Sequence, residues 1–126
     1  MTGVTLDAGA LVGLERHSAR MIALLDLARL HGRPVHVPAP VVAQVWRGGP
    51  RSAPVARLLN ATDVTVVAFD DARARAVGLL LAASGTSDVV DAAVVVCAHE
   101  HDDHAVVTSD PEDLQRLDPA LRLVVL

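Results

Sequence analysis

Val4-Thr5-Leu6-Asp7-Ala8-Gly9-Ala10-Leu11 passes from strand to helix without a linker: three residues suited to a buried strand, one aspartate, then small residues that continue as a helix. A carboxylate at such a junction has two readings. It can cap the helix by accepting a hydrogen bond from its first turn, or it can face a ligand beyond the strand end. The arrangement returns at Ala105-Val106-Val107-Thr108-Ser109-Asp110-Pro111, where Asp110 closes a second strand and Pro111 suits the first helical position.

Working outward from these junctions, the same alternation covers the chain. A helix is expected from Ala8 to about Arg16, and a second from Ser18 to His31, where Met21, Leu24, Leu25 and Ala28 recur at helical spacing and Gly32 follows. Val35-His36-Val37 reads as a strand between Pro34 and Pro38. A helix from Pro40 to about Arg47 stops at Gly48-Gly49-Pro50. A short helix over Pro54 to Asn60 leads to the strand Val64 to Ala68. Asp70 caps a helix from Asp71 to Ser84, and Asp88 opens another that runs to about Glu100. Ala105 to Thr108 and Leu123-Val124-Val125 complete the strands.

Strands alternating with helices predict an α/β fold: one domain over residues 1–126, built on a central, mostly parallel sheet of about five strands with helices on both faces. Hydrophobic residues make up 52% of the chain but aromatics only 2%, so the core must be made of Val, Leu and Ala. No apolar stretch reaches the roughly 18 residues of a membrane span, and the N-terminus lacks a basic segment followed by an apolar one. The expectation is a soluble, unprocessed chain. Cys97 is the only cysteine; it sits in an apolar run, reads as a small buried hydrophobe, and fits a reducing cytoplasm.

Four carboxylates carry the functional signal. Asp7 and Asp110 lie at the carboxyl ends of predicted strands, where ligands bind in parallel sheets. Asp88 and Asp91 are three apart, so they share one side of a helix whose other residues, Val89, Val90 and Ala92 to Val96, are all apolar. An ionised Asp91 in so apolar a helix is costly unless it is paired or metal-bound. Asp7, Asp88 and Asp110 also read as N-caps, and Asp91 as a capping partner. Together the four favour a divalent cation, since Mg²⁺ and Mn²⁺ prefer oxygen ligands.

Three segments resemble the PIN-domain ribonucleases, in particular the VapC-type toxins of toxin-antitoxin pairs. They are Leu6-Asp7-Ala8-Gly9-Ala10-Leu11, Asp91-Ala92-Ala93-Val94-Val95-Val96-Cys97-Ala98, and Val107-Thr108-Ser109-Asp110-Pro111-Glu112-Asp113-Leu114. The resemblance implies a Mg²⁺- or Mn²⁺-dependent endoribonuclease acting on structured RNA (tRNA or rRNA), held in check by a cognate antitoxin and assembled as a homodimer. It makes Asp7, Asp91 and Asp110 metal-coordinating positions, with Thr108 or Ser109 orienting a ligand or water and Asp88 and Asp113 in support.

The acidic residue that the family places in the helix after the second strand falls at Gln44. An amide can accept a hydrogen bond from a metal-bound water but supplies neither negative charge nor a base. Asp88 is positioned to replace part of that charge, and a catalytically weak or inactive binding module of the same fold is the alternative reading. Other α/β enzymes fit less well. The chain has no lysine for a receiver-type acidic pocket, Gly9 stands where a haloacid-dehalogenase-like enzyme has a second aspartate, and the G-x-G-x-x-G fingerprint is absent.

The remaining features read as structural. The net charge is −4 and all eleven basic residues are arginines, of which Arg16, Arg20, Arg47, Arg51 and Arg57 read as solvated surface before RNA contacts. Trp46 is assigned to core or partner packing, which leaves little equipment for base stacking. The tract His99-Glu100-His101-Asp102-Asp103-His104 ends the helix that Asp91 begins, about 20 Å away at 1.5 Å per residue, and reads as a solvated helix end. Leu11, Val12, Leu14, Met21, Ile22, Leu25 and Leu30 supply aliphatic surface for the core or for partners.

Overall fold

The computed structural model describes residues 2–126. Its strands are β1 (Val4–Leu6), β2 (Val35–Pro38), β3 (Val64–Val67), β4 (Ala105–Thr108) and β5 (Leu123–Val125). The helices are α1 (Ala8–Glu15), α2 (Ala19–Leu30), α3 (Ala39–Val45), α4 (Ala53–Leu59), α5 (Asp71–Ser84), α6 (Val89–Glu100) and α7 (Pro111–Leu117). The strands form one sheet in the order β3-β2-β1-β4-β5, and every pairing is parallel. The expected mostly parallel sheet is therefore wholly parallel, and β1 and β4, which carry the two strand-end aspartates, are neighbours.

Element ends differ from the sequence reading by a residue or two. Pro38 belongs to β2, paired with Val67, because a proline that closes a strand leaves few ladder bonds unmade. Helix α3 starts at Ala39 and stops at Val45, since Trp46 turns extended (ψ 125°) two residues before the glycines. Pro50–Ser52 forms a single 3-10 turn that the sequence reading lacked. Gly85, left-handed at φ 69°, ends α5 as its position predicts.

The centre of the sheet is covered on both faces. All four residues of β4 are buried, whereas β3 exposes its middle pair, the pattern of an edge strand. Val4, Leu6, Ala105 and Val107 face Met21, Leu25 and Ala28 of α2 across one side. Thr5 faces α6 on the other, its hydroxyl 3.9 Å from the Cys97 sulfur. Leu11, Leu14, Met21 and Leu25 are core, while Ile22 and Leu30 are exposed. Trp46 is 41% exposed, so it is not a core residue.

Helix α6 is the central packing element. Ala92, Ala93, Val94, Val95, Cys97 and Ala98 are all buried, and burial pushes the Cys97 thiol up to about 12, which makes it inert. At the far end of α6, His99, Glu100, Asp102 and His104 are exposed as expected of a solvated tract, but His101 and Asp103 turn inward. The Asp103 side chain has no exposed surface; it accepts hydrogen bonds from the Thr5 hydroxyl at 2.5 Å and contacts His36 Nδ1 at 2.8 Å. His101 stacks on His36 with ring centres 4.0 Å apart and reaches the Cys97 carbonyl at 2.8 Å, and His99 meets Asp118 at 2.6 Å. The Asp103 side chain is buried because the chain turns back beneath α6 to start β4.

Candidate active site

The acidic candidates and Thr108 gather where β1, β4, α6 and α7 meet, at the carboxyl edge of the sheet. Asp7 follows β1, and strand alternation carries it to the side of Thr5, toward α6. It is 6% exposed and caps α1 by accepting a 2.9 Å hydrogen bond from the Ala10 amide. Burial raises its pKa, while hydrogen bonds from Thr108 and from the Ala10 and Gly9 amides pull the other way.

Thr108 joins the two strand ends. Its fully buried hydroxyl hydrogen-bonds the Asp7 carboxylate and accepts the Asp110 amide at 2.9 Å. One side chain thus fixes where Asp7 points and where the chain leaves β4. Asp110 occupies the N-cap position of α7 but makes no capping hydrogen bond with its side chain, so the plain cap reading fails for it. Its pKa is raised, first by the hydrogen bond with the Asp113 carboxyl and then by burial and the charges of Asp113 and Glu112.

Asp91 is half-buried in the first turn of α6. Burial and then the charges of Asp88, Asp113, Asp110 and Asp7 push its pKa up to about 6. Asp88 itself is a true cap, accepting the Asp91 amide at 2.9 Å. Asp7 and Asp88 therefore cap helices and also contribute to the field on Asp91. Beside Asp91 opens a recess of about 230 Å³ lined by Thr86, Ser87, Asp88, Asp91, Asp113, Arg116 and Leu117.

The donors are all oxygens, as a hard divalent cation requires, and their mutual repulsion is what such a cation relieves. Among the described residues, no three Asp, Glu, His or Cys side chains stand close enough together, as placed, to hold one metal ion. The site is thus a convergent negative field whose members differ in exposure: Asp110 and Asp88 are exposed and Asp113 half-exposed. Gln44 is exposed on α3 and does not line the recess. Ser109 is also exposed, so of the two hydroxyl candidates Thr108 is the one bonded into the site.

Sequence reasoning missed two contributors. One is Arg116, whose guanidinium lies 3.5 Å from Asp113 on the same wall of the recess; its place one turn after Asp113 was the available signal. The other is Gly9. A β-carbon there would collide with the Ser109 hydroxyl and lie 2.8 Å from the Ser109 β-carbon, so only glycine lets α1 press against the β4–α7 turn. Gly9→Ala is expected to cost about 1–3 kcal/mol by overpacking and to part Asp7 from Asp110. Chemical denaturation checks the first effect, and Mn²⁺ titration, weaker than in the wild type, checks the second.

The other arginines are mostly committed elsewhere: Arg51 to Glu15 at 3.0 Å, Arg73 to Glu100 at 2.7 Å, and Arg29 to Asp63 at 3.2 Å. Among the described residues no single helix is long and apolar enough to cross a membrane.

Comparison with known proteins gives a family and a fold. The model of the PIN domain matches residues 4–118, and no curated protein matches the chain. Among solved structures, VapBC2 from Rickettsia felis bound to a DNA fragment from its promoter superposes with a TM-score of 0.72 at 16% identity, over 98% of each chain. DNA-bound VapBC from Salmonella typhimurium gives 0.71 at 16% identity, over 99% of this chain and 98% of that one. FitAcB from Neisseria gonorrhoeae gives 0.64 at 17% identity, over 95% of each. At these identities the likeness is one of fold.

Proposed function

This chain belongs to the PIN-domain family, whose members are typically nucleases acting on phosphodiester bonds, and from that premise we propose that it is a divalent-metal-dependent endoribonuclease, the toxin of a toxin-antitoxin pair. The observation that carries the reading is Asp91, driven up to about 6 by burial and by four surrounding carboxylates. A protein keeps such a costly cluster at a sheet's carboxyl edge when a cation is to be bound there. Two of the similar structures are complexes that carry both VapB and VapC, which supports a cognate antitoxin as partner; a homodimer, a cytoplasmic location and a tRNA or rRNA target are part of the same proposal.

In this reading Asp7, Asp91 and Asp110 hold the metal, with Asp88 and Asp113 adding charge. A bound Mg²⁺ or Mn²⁺ supplies polarisation of the phosphodiester and a water of lowered pKa. The protein's own residues do the positioning. Thr108 fixes the Asp7 carboxylate and the α7 turn, so the buried donor Asp7 and the exposed donor Asp110 start from one hydrogen-bonded frame. Asp91, raised to about 6, is largely ionised at neutral pH and gains most from a cation.

Incubating total RNA with the protein plus Mg²⁺, Mn²⁺ or chelator tests the reading. Discrete cleavage with metal and none with chelator is expected; intact RNA under every condition overturns it. Gln44 favours one second reading, a PIN-fold module that binds its partners but does not cut. Calorimetric titration with Mn²⁺ separates the two, since the module requires no metal binding. Gln44→Glu adds one charge worth about 1 kcal/mol at close range, so an endoribonuclease should bind Mn²⁺ about fivefold more tightly. Unchanged affinity would place residue 44 outside the metal site.

A further inference from the structure

The recess beside Asp91 shares carboxylates with the proposed metal site but also carries groups that metal binding does not use, Arg116 and the hydroxyls of Thr86 and Ser87. Its walls come from two elements, the α5–α6 loop with Thr86 and Ser87 and helix α7 with Asp113, Arg116 and Leu117, and Asp91 and Asp88 border it on the α6 side. Asp7 and Asp110 are not among its lining residues, so the recess extends the site sideways from Asp91. At about 230 Å³ it has room for a phosphate and much of a ribose.

Arg116 is the single cationic side chain in that lining. Its link to Asp113, at 3.5 Å, is loose and its side chain is 67% exposed, whereas Arg51 and Arg73 are tied to carboxylates at 3.0 Å and 2.7 Å. A guanidinium held weakly at the rim of an acidic site is well placed to trade a carboxylate for a phosphate, which it can grip through two parallel N–H donors. Cation binding at the carboxylates would draw on Asp113 and release Arg116 further. Thr86 and Asp88 provide a hydroxyl and a carboxylate on the facing wall, groups that suit a ribose 2′-hydroxyl.

We propose that this recess is a subsite for the ribonucleotide adjoining the cleaved phosphodiester, with Arg116 as the positioning residue that grips its phosphate. The inference rests on the endoribonuclease reading and adds to it a residue outside the carboxylate set. Arg116 touches no reacting atom, so its effect falls on substrate affinity and register.

The test uses an oligoribonucleotide spanning a site mapped by cleavage of total RNA with Mn²⁺, together with shortened versions that lack the phosphate one nucleotide to either side. For the wild type, loss of one flanking phosphate is expected to raise KM about tenfold, the 1–2 kcal/mol of a charge-assisted contact. Arg116→Ala should raise KM similarly on the full oligonucleotide, respond little to the same shortening, and flatten the dependence of log KM on log salt by about 0.7. Arg116→Lys should recover part of the loss. Melting temperature should match the wild type, as a merely structural role would not allow, and Mn²⁺ affinity should hold or rise, because a positive charge beside Asp113 is removed. Arg116→Ala that cleaves with unchanged KM, or stays as sensitive to the flanking phosphate as the wild type, overturns the subsite alone. Wild-type protein that cuts no RNA with Mn²⁺ overturns both the subsite and the reading beneath it.

Discussion

Asp91→Asn should make the metal-free protein more stable while cutting RNA cleavage by on the order of a hundredfold or more, a loss at least as large as when groups that merely orient metal ligands are removed. The two effects share one cause. Burial and four neighbouring carboxylates lift the Asp91 pKa from 3.8 to about 6, so the folded protein holds a proton that the unfolded chain releases. The contribution of Asp91 to wild-type stability in chelator is therefore greatest below about pH 4, falls as pH rises toward 6, and stays at the lower level above it. Asparagine removes that penalty. Because Asp91 is half-exposed, the gain at pH 7.5 is discounted to about 1 kcal/mol, or a few degrees in Tm. Mn²⁺ should reverse the order, since at a hundred times its Kd it adds about 2.7 kcal/mol to the wild type. An Asp91→Asn protein less stable than the wild type in chelator, or one that cleaves RNA normally, would refute this account.

The second large effect lies at the other end of α6. His36→Ala should destabilise the protein by about 3 kcal/mol, because it strands the wholly buried Asp103 carboxylate with Thr5 as its remaining partner. That is a large part of the 5–15 kcal/mol typical of a domain. Asp103→Ala should cost a comparable amount, and the two losses should not add: a double-mutant cycle is expected to return a coupling of at least about 1 kcal/mol. Asp103 folds back to bond the Ala98 carbonyl, about 10 Å along α6 from Asp91 at 1.5 Å per residue, so Mn²⁺ affinity should be little changed. Additive losses in urea denaturation, or weakened Mn²⁺ binding, would show the pair to be something other than a local buried clasp.

Much of the fold was legible because each strand and helix announces itself locally. Asp7, Ser18, Asp70 and Asp88 all accept the capping hydrogen bonds that their positions predict, and the alternation of elements leaves a parallel sheet as the natural solution. The strand-end aspartates were legible for the same reason. What stayed hidden depends on contacts between segments far apart in sequence. Thr5, His36 and Asp103 belong to three separate segments, and only the register of β1 on β2, with Thr5 opposite His36, brings them together. The Gly9–Ser109 contact joins residues a hundred apart, and the loose tie on Arg116 is a matter of geometry that spacing along a helix does not reveal. Gln44 illustrates the converse: a family position can be found in the sequence, yet its exposed side chain takes its meaning from what α3 faces.

Cys97 gives α6 a built-in reporter. It is the chain's single thiol, lies beneath the helix against Thr5 and His101, and is held protonated by a pKa near 12. Alkylating reagents act on thiolates at the surface, so they can reach this sulfur only in molecules whose α6 has lifted from the sheet. The rate at which the native protein is labelled therefore counts openings of the very helix that carries Asp91, without any probe having to be introduced.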